Sequence, residues 1–390
     1  MHTLRFIAGL LLIGLTLLDG FETILLPRRI NHRFRYSRLY YRTGWRLWRS
    51  CAGCLTVGKW REAMLSGFGP LSLLGLFVSW MLSLVVGFAL LQWSLDAPLA
   101  GTDRPGEPSG FIACLYYSGT TCFTLGLGDL TPQENFSRAL TVAEGGVGFG
   151  FLAIIIGYLP VLYQAFSRRE VAISLFDARA GSPPTGGEFV LRLAQGPGMA
   201  ADESTLREWE RWSAELLESH ISFPVLAFYR SQHSNQSWLA TLATMLDACA
   251  ILLTVLPPGQ SHQVELTFAM ARHAAVDIGL IFSTRPQPQR DRLPASSLTR
   301  LDEVLRGVGG SGERGPFHQR LAEIRAMYEP FLESLAERFL LTLPPVIPAE
   351  RSADNWQRSA WMPRTPGIGS LPAGPIGSGN DDRADRDHFI

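Results

Sequence analysis

The chemistry of this chain is concentrated in Leu115 to Pro132, LYYSGTTCFTLGLGDLTP, centred on Thr124-Leu125-Gly126-Leu127-Gly128-Asp129. Glycines at alternate positions let a backbone adopt conformations that side chains forbid, so successive carbonyls can point the same way. Four such strands around one axis would replace the water shell of a bare cation with rings of oxygen. The ligands would come from Thr124, Leu125, Gly126, Leu127 and Gly128, with the Thr124 hydroxyl adding a ring at the inner end. One chain supplies one strand, so a closed ring needs four copies. A G-x-G-D alone is a weak signal, because glycine turns are common. Its position between two long apolar segments, behind an aromatic-rich helix, gives it weight.

The flanking elements read as membrane helices. Nearly half the residues are hydrophobic, 46%, and they are concentrated in a few long runs. A first span covers about Thr3 to Leu26, long enough for the roughly 20 residues a crossing needs. A second runs from about Pro70 to Leu95 without an ionisable residue, and a turn-rich loop follows from Ala97 to Gly110. Phe111 to Phe123 is a helix too short to span, so it enters and stops, with its C-terminal carbonyls favouring a cation. Asn135 to Phe166 is the third apolar segment, with Arg168 and Arg169 below it. Its glycines allow close helix contact, and Pro160 is a candidate kink.

With these elements around it, the central stretch resembles the selectivity filter of potassium channels, written T-V-G-Y-G-D or close variants in that family. The paired aromatics Tyr116 and Tyr117 on the short helix, and Pro132 three residues after the aspartate, fit the same pattern. The resemblance covers about Pro70 to Arg169. It implies K+ coordination by Thr124, Leu125, Gly126 and Leu127, filter support from Asp129, Tyr116, Tyr117 and Thr120, and a gating hinge in the inner helix. Counting from the filter aspartate places that hinge at Gly148; tight packing is the competing role for the same glycine. Leu127 stands where tyrosine is usual, Phe123 where a second threonine is usual, and Thr120 where some channels carry a glutamate. Tyr116 is the residue expected to tether Asp129.

Between the first two spans the chain is densely basic. By the positive-inside rule this segment is cytoplasmic and the N-terminus lies outside. Arg35, Arg38, Arg42, Arg46 and Arg49 share one helical face, and Phe34, Tyr41, Trp45 and Trp48 an adjacent one. That pattern predicts a helix in the headgroup layer, its aromatics dipped and its arginines on anionic lipid phosphates. The segment is too polar for a voltage sensor, and its tie to two spans argues against nucleic acid. Asp19 and Glu22, one turn apart at the inner end of the first span, are expected to pair with nearby basic residues.

Beyond Arg169 the composition shifts. Gly181 to Gly187 reads as a loop, and helical patterns cover about Asp202 to Glu218, Gln236 to Val255, His262 to Phe282, Ser296 to Arg306 and Pro316 to Leu341. Strand signals are scarce, which predicts an all-α domain. Trp238 to Leu256 is apolar enough for a further span, with Asp247 its only charge; a buried helix of a cytosolic bundle is the preferred reading. His273 and Asp277 sit one turn apart, but two ligands without a third do not make a metal site. The five cysteines form no disulfide framework.

The fold expected is an all-α membrane protein. It comprises a potassium-channel pore module of outer helix, pore helix, filter and inner helix, one extra N-terminal transmembrane helix, and an all-α cytosolic C-terminal domain. The divisions are 1–69, 70–169, 170–345 and a disordered tail at 346–390. The resemblance implies a homotetrameric potassium-selective channel in the cell membrane, multi-pass, with its C-terminal domain cytoplasmic and possessing no cofactor beyond the permeant K+. Two other readings remain open, a weakly selective cation channel and a membrane-anchored sensor or scaffold with a vestigial pore. No nucleophile elbow, phosphate loop or complete metal-ligand set points to an enzyme.

Overall fold

A computed structural model describes residues 1–26, 35–56, 58–101, 109–181, 183–195, 203–231, 236–257, 261–286, 291–307 and 314–348. The chain is almost wholly helical and divides into two compact units, Met1–Gln164 and Ala165–Ile390.

The first unit contains α1 (His2–Ile24), α2 (Tyr36–Gly53), α3 (Lys59–Ser94), β1 (Leu99–Ala100), α4 (Phe111–Cys122), β2 (Thr131–Pro132) and the upper part of α5 (Asn135–Ala180). The helix α3 begins well before the apolar run and passes through Pro70 unbroken. A proline inside a helix forfeits one backbone hydrogen bond, and the apolar packing of the remaining length carries it through. The outer faces of α1 and α3 are exposed leucine-rich surfaces. Their inner faces meet through small residues: a Cβ at Gly9 would come within 2.7 Å of the Gly87 carbonyl, and one at Gly87 within 2.6 Å of Ile13 Cγ1.

Asp19 ties three helices together. Buried toward the C-terminal end of α1, it accepts bonds from the Ser37 amide of α2 at 3.1 Å, the Ser37 hydroxyl at 2.9 Å and the Trp80 indole of α3 at 2.9 Å. Glu22 pairs with Arg35 at 3.4 Å as expected, and Arg35 also donates to Thr23. Asp19 itself is satisfied by neutral donors, contrary to the expectation of a basic partner.

On the helix α2, Trp45 and Trp48 face α3, Tyr41 is half-buried, and Phe34 lies outside the described residues. Trp45 is buried edge-on against Phe68, with ring centroids 4.9 Å apart, and the Trp48 indole donates to the Met64 carbonyl at 2.9 Å. The polarity of the Trp48 indole is thereby satisfied inside the protein. Arg38, Arg42 and Arg46 remain exposed on the other side, while Arg35 and Arg49 are half-buried.

The second unit holds the lower part of α5 with α6 (Gly186–Gln195), α7 (Glu203–Ser222), a 3-10 turn (Pro224–Phe228), α8 (Trp238–Val255), α9 (His262–Ile281), α10 (Ala295–Gly307), α11 (Arg314–Ala326) and α12 (Glu329–Phe339). Its core is α8. That helix is apolar enough to cross a membrane, yet its most apolar stretch is 83% buried within the unit, against 28% for those of α1 and α5. Asp247 is the reason α8 carries a charge at all. Its carboxylate takes a two-pronged bond from Arg292, at 2.8 and 2.9 Å, and a third from the Tyr328 hydroxyl at 2.7 Å. Arg292 also binds Glu329, so every charge in the cluster is paired.

Two further differences from the sequence reading have local causes. The pattern from Pro316 to Leu341 is two helices, because Pro330 fits only the first turn of α12. The segment expected as the start of a disordered tail begins inside the core: Val346 and Ile347 are buried, and the Gly187 amide donates to the Val346 carbonyl at 2.9 Å. The remainder of that tail, 349–390, lies outside the described residues.

Candidate functional site

The helix α4 has 12 residues, about 18 Å at 1.5 Å per residue, so it cannot cross a hydrocarbon core of about 30 Å. It buries Cys114, Tyr117 and Ser118 against its neighbours and ends at Phe123. The chain then turns back on the helix end. The Thr124 amide donates to the Thr121 carbonyl at 3.0 Å, and the Leu125 and Gly126 amides both donate to the Thr120 carbonyl at 2.8 and 3.3 Å. Carbonyls that a helix leaves unpaired at its C-terminus are thus taken up by the next segment's own amides.

Beyond that turn the backbone alternates. Thr124, Gly126 and Gly128 have φ of +58, +56 and +76°, while Leu125 and Leu127 between them stay out of the left-handed region. In an ordinary strand successive carbonyls point to opposite sides; reversing the hand of every second residue brings them toward one side. Glycine adopts the left-handed region freely, whereas Thr124 does so at a cost of about 1–2 kcal/mol. All residues from Phe123 to Asp129 are exposed in the single chain.

Comparison with known proteins addresses this segment directly. Residues 75–164 match the ion-channel family. The match spans the second half of α3, the re-entrant α4, the alternating segment and α5 to the edge of the first unit. Over a longer stretch the chain is similar to the uncharacterized membrane protein YdjJ of Bacillus subtilis (strain 168), 26% identical over 266 residues, covering 66% of this chain and 76% of that one. No solved structure matches the chain.

Within this ion-channel segment the supporting residues divide between two neighbours. The Tyr116 hydroxyl faces the Asp129 carboxylate. Tyr117 turns the other way, its hydroxyl 2.7 Å from Thr141 Oγ1 on α5. The Thr120 hydroxyl donates to the Tyr117 carbonyl at 2.8 Å and so stays within α4. The helix α5 is continuous through both Gly148 and Pro160. At Gly148 it lies directly on the backbone of Cys122, where an added Cβ would overlap the carbonyl oxygen.

The exit of the segment is braced by the short antiparallel ladder of β1 and β2, pairing Leu99 with Pro132 and Ala100 with Thr131. Gly101 follows at φ +92°, and a side chain there would run into the Asp129 carbonyl. Two-residue strands carry no periodic pattern, so the brace left no signal to read in the sequence.

Sequence reasoning also missed the polar seam on α5. Ser137, Thr141, Glu144 and Gly148 recur at intervals of four, three and four, which is one helical face. Ser137 and Gln92 of α3 exchange two hydrogen bonds, at 2.6 and 3.3 Å. Thr141 meets Tyr117, fully buried Glu144 meets Ser118 of α4, and Gly148 meets Cys122. The signal was the carboxylate in an apolar run, since an intramembrane Glu is a site hypothesis by default. Among the described residues no cluster of three or more His, Cys, Asp or Glu side chains is placed to hold a metal ion.

Proposed function

We propose that the chain is one subunit of a homotetrameric potassium channel, conducting K+ passively through Thr124-Leu125-Gly126-Leu127-Gly128. The observation that carries this reading is the alternation of backbone hand at Thr124, Gly126 and Gly128, within a segment matching the ion-channel family. One strand per chain supports four copies around an axis. The exposure of Leu125 and Leu127, at 62% and 61%, supports assembly with further copies, since apolar side chains flanking a filter need neighbours to cover them. Dehydrated K+ then moves in single file between rings of carbonyl oxygen from Thr124 to Leu127, and repulsion between ions keeps the flux high.

Gating is assigned to α5, with Gly148 and Pro160 as the hinge positions, and to the helical unit that follows it in the chain. The dense arginines before α3 support an external N-terminus and a cytoplasmic helical unit. Exposed Arg38, Arg42 and Arg46 are then available to anionic lipid headgroups. The chemistry is passive transport, with no catalytic residue and no cofactor.

The full chain in liposomes, loaded under a K+ gradient and then a Na+ gradient, tests this. Flux of K+ in excess of Na+ by about tenfold or more is expected, the equivalent of about 1.4 kcal/mol of discrimination. Equal fluxes would assign a weakly selective cation channel, the reading favoured by the absence of a tyrosine hydroxyl at Leu127. No flux under either gradient, in wild type and in a Pro160→Gly variant of α5 alike, would assign the sensor or scaffold.

A further inference from the structure

The proton inventory at Ser118 leads one step beyond conduction. On α4, Ser118 sits between the Val85 carbonyl of α3, 2.8 Å away, and Glu144 Oε1 of α5. A carbonyl never donates, so the one hydroxyl proton goes to Val85, and none is left for the carboxyl group. The bond between Ser118 and Glu144 therefore takes its proton from Glu144. The surroundings agree. Glu144 is 0% exposed, its Oε2 has no hydrogen-bond partner, and no arginine or lysine pairs with it among the described residues. A bare carboxylate without a cation or a second donor would be costly in that position.

We propose that Glu144 is a positioning residue: as the neutral acid it donates to Ser118, Ser118 donates to Val85, and this relay fixes the pore helix between inner and outer helices. Loss of the proton would let the carboxylate compete for the Ser118 hydroxyl and release the Val85 carbonyl, loosening α4 at the turn that feeds the filter. The ionisable groups facing the site are few. Cys122 of α4 lies beside Glu144, Tyr117 is engaged with Thr141, and α3 carries no ionisable side chain from Met81 to Gln92.

The effect on flux rests on the channel reading, so the test has one arm that does not. Infrared difference spectra of the full chain in liposomes, wild type minus Glu144→Gln, should show a protonated-carboxyl C=O band at pH 7. Its absence overturns the proposal whether or not the protein conducts. In the flux arm, Glu144→Gln retains a donor and is expected to keep K+ flux and selectivity within about twofold of wild type. Glu144→Ala and Ser118→Ala are expected to lower K+ over Na+ discrimination about tenfold. Wild-type flux is expected to fall as the medium is made alkaline, and that of Glu144→Gln to stay flat. If Glu144→Gln behaves as Glu144→Ala does, the neutral-donor role is wrong.

Discussion

At the scale of single residues, the site depends on backbone conformations more than on side chains. Thr124 shows this, since the hand it adopts is one a threonine avoids, yet the alternation runs through it. Gly101 shows it from the other side of the exit, at φ +92° against the Asp129 carbonyl. Gly101→Ala should destabilise the first unit by about 1–2 kcal/mol from the backbone hand alone, with the overlap added to that. A lowered thermal midpoint of the protein in detergent is the readout, and an unchanged midpoint would show that the brace is dispensable. The glycines of the central stretch could be read from the sequence because their chemistry is local. Gly101 could not, because its neighbour lies 28 residues further on and meets it only in the fold. Tyr116 and Tyr117 make the same point, being adjacent in sequence yet set against different partners, Asp129 and Thr141.

At the scale of elements, hydrophobic length located the spans, while polar residues decided how they pack. The run from Pro70 marked α3, but eleven polar and mixed residues ahead of it continue the same helix, because α2 supplies Trp45 and Trp48 to cover them. The arginine-rich segment reads as a surface helix from periodicity alone. Which of its faces meets protein depends on Phe68 and Met64, outside that helix. Asp19 is the residue on which the α1–α2–α3 junction converges. Replacing it with alanine leaves the Trp80 indole and the Ser37 amide buried without acceptors, at about 1–3 kcal/mol for each. Asp19→Ala should therefore loosen α1, read as faster labelling of a cysteine placed at Ile13, which is buried and packs on Gly87 of α3. Asp19→Asn keeps an acceptor oxygen and should lie between alanine and wild type. Equal labelling in all three would mean that small-residue packing alone holds α1.

At the scale of the whole molecule, two units with separate cores predict two unfolding transitions rather than one. The helical unit has its own acid sensitivity, set by His220. This residue is completely buried, its Nδ1 is 2.7 Å from the Leu216 carbonyl, its ring packs on Trp238, and its Nε2 has no partner. Burial pushes its pKa down to about 3, and the nearby Arg169 guanidinium adds to the shift. The unfolded chain binds this proton near pH 6.5. A group depressed in the folded state stabilises above its unfolded pKa and loses that contribution as pH falls. The helical unit should thus weaken from about pH 6.5 downward, with the loss complete near pH 3. At about 1.4 kcal/mol per pH unit, the full loss is on the order of 5 kcal/mol. His220→Phe cannot take up the proton and should flatten this slope, whatever its stability at neutral pH. Thermal melts of the full chain between pH 7 and pH 4 give the measurement. The slope should belong to the helical unit's transition and vanish in the variant, and a slope that survives His220→Phe would place the acid sensitivity in another group.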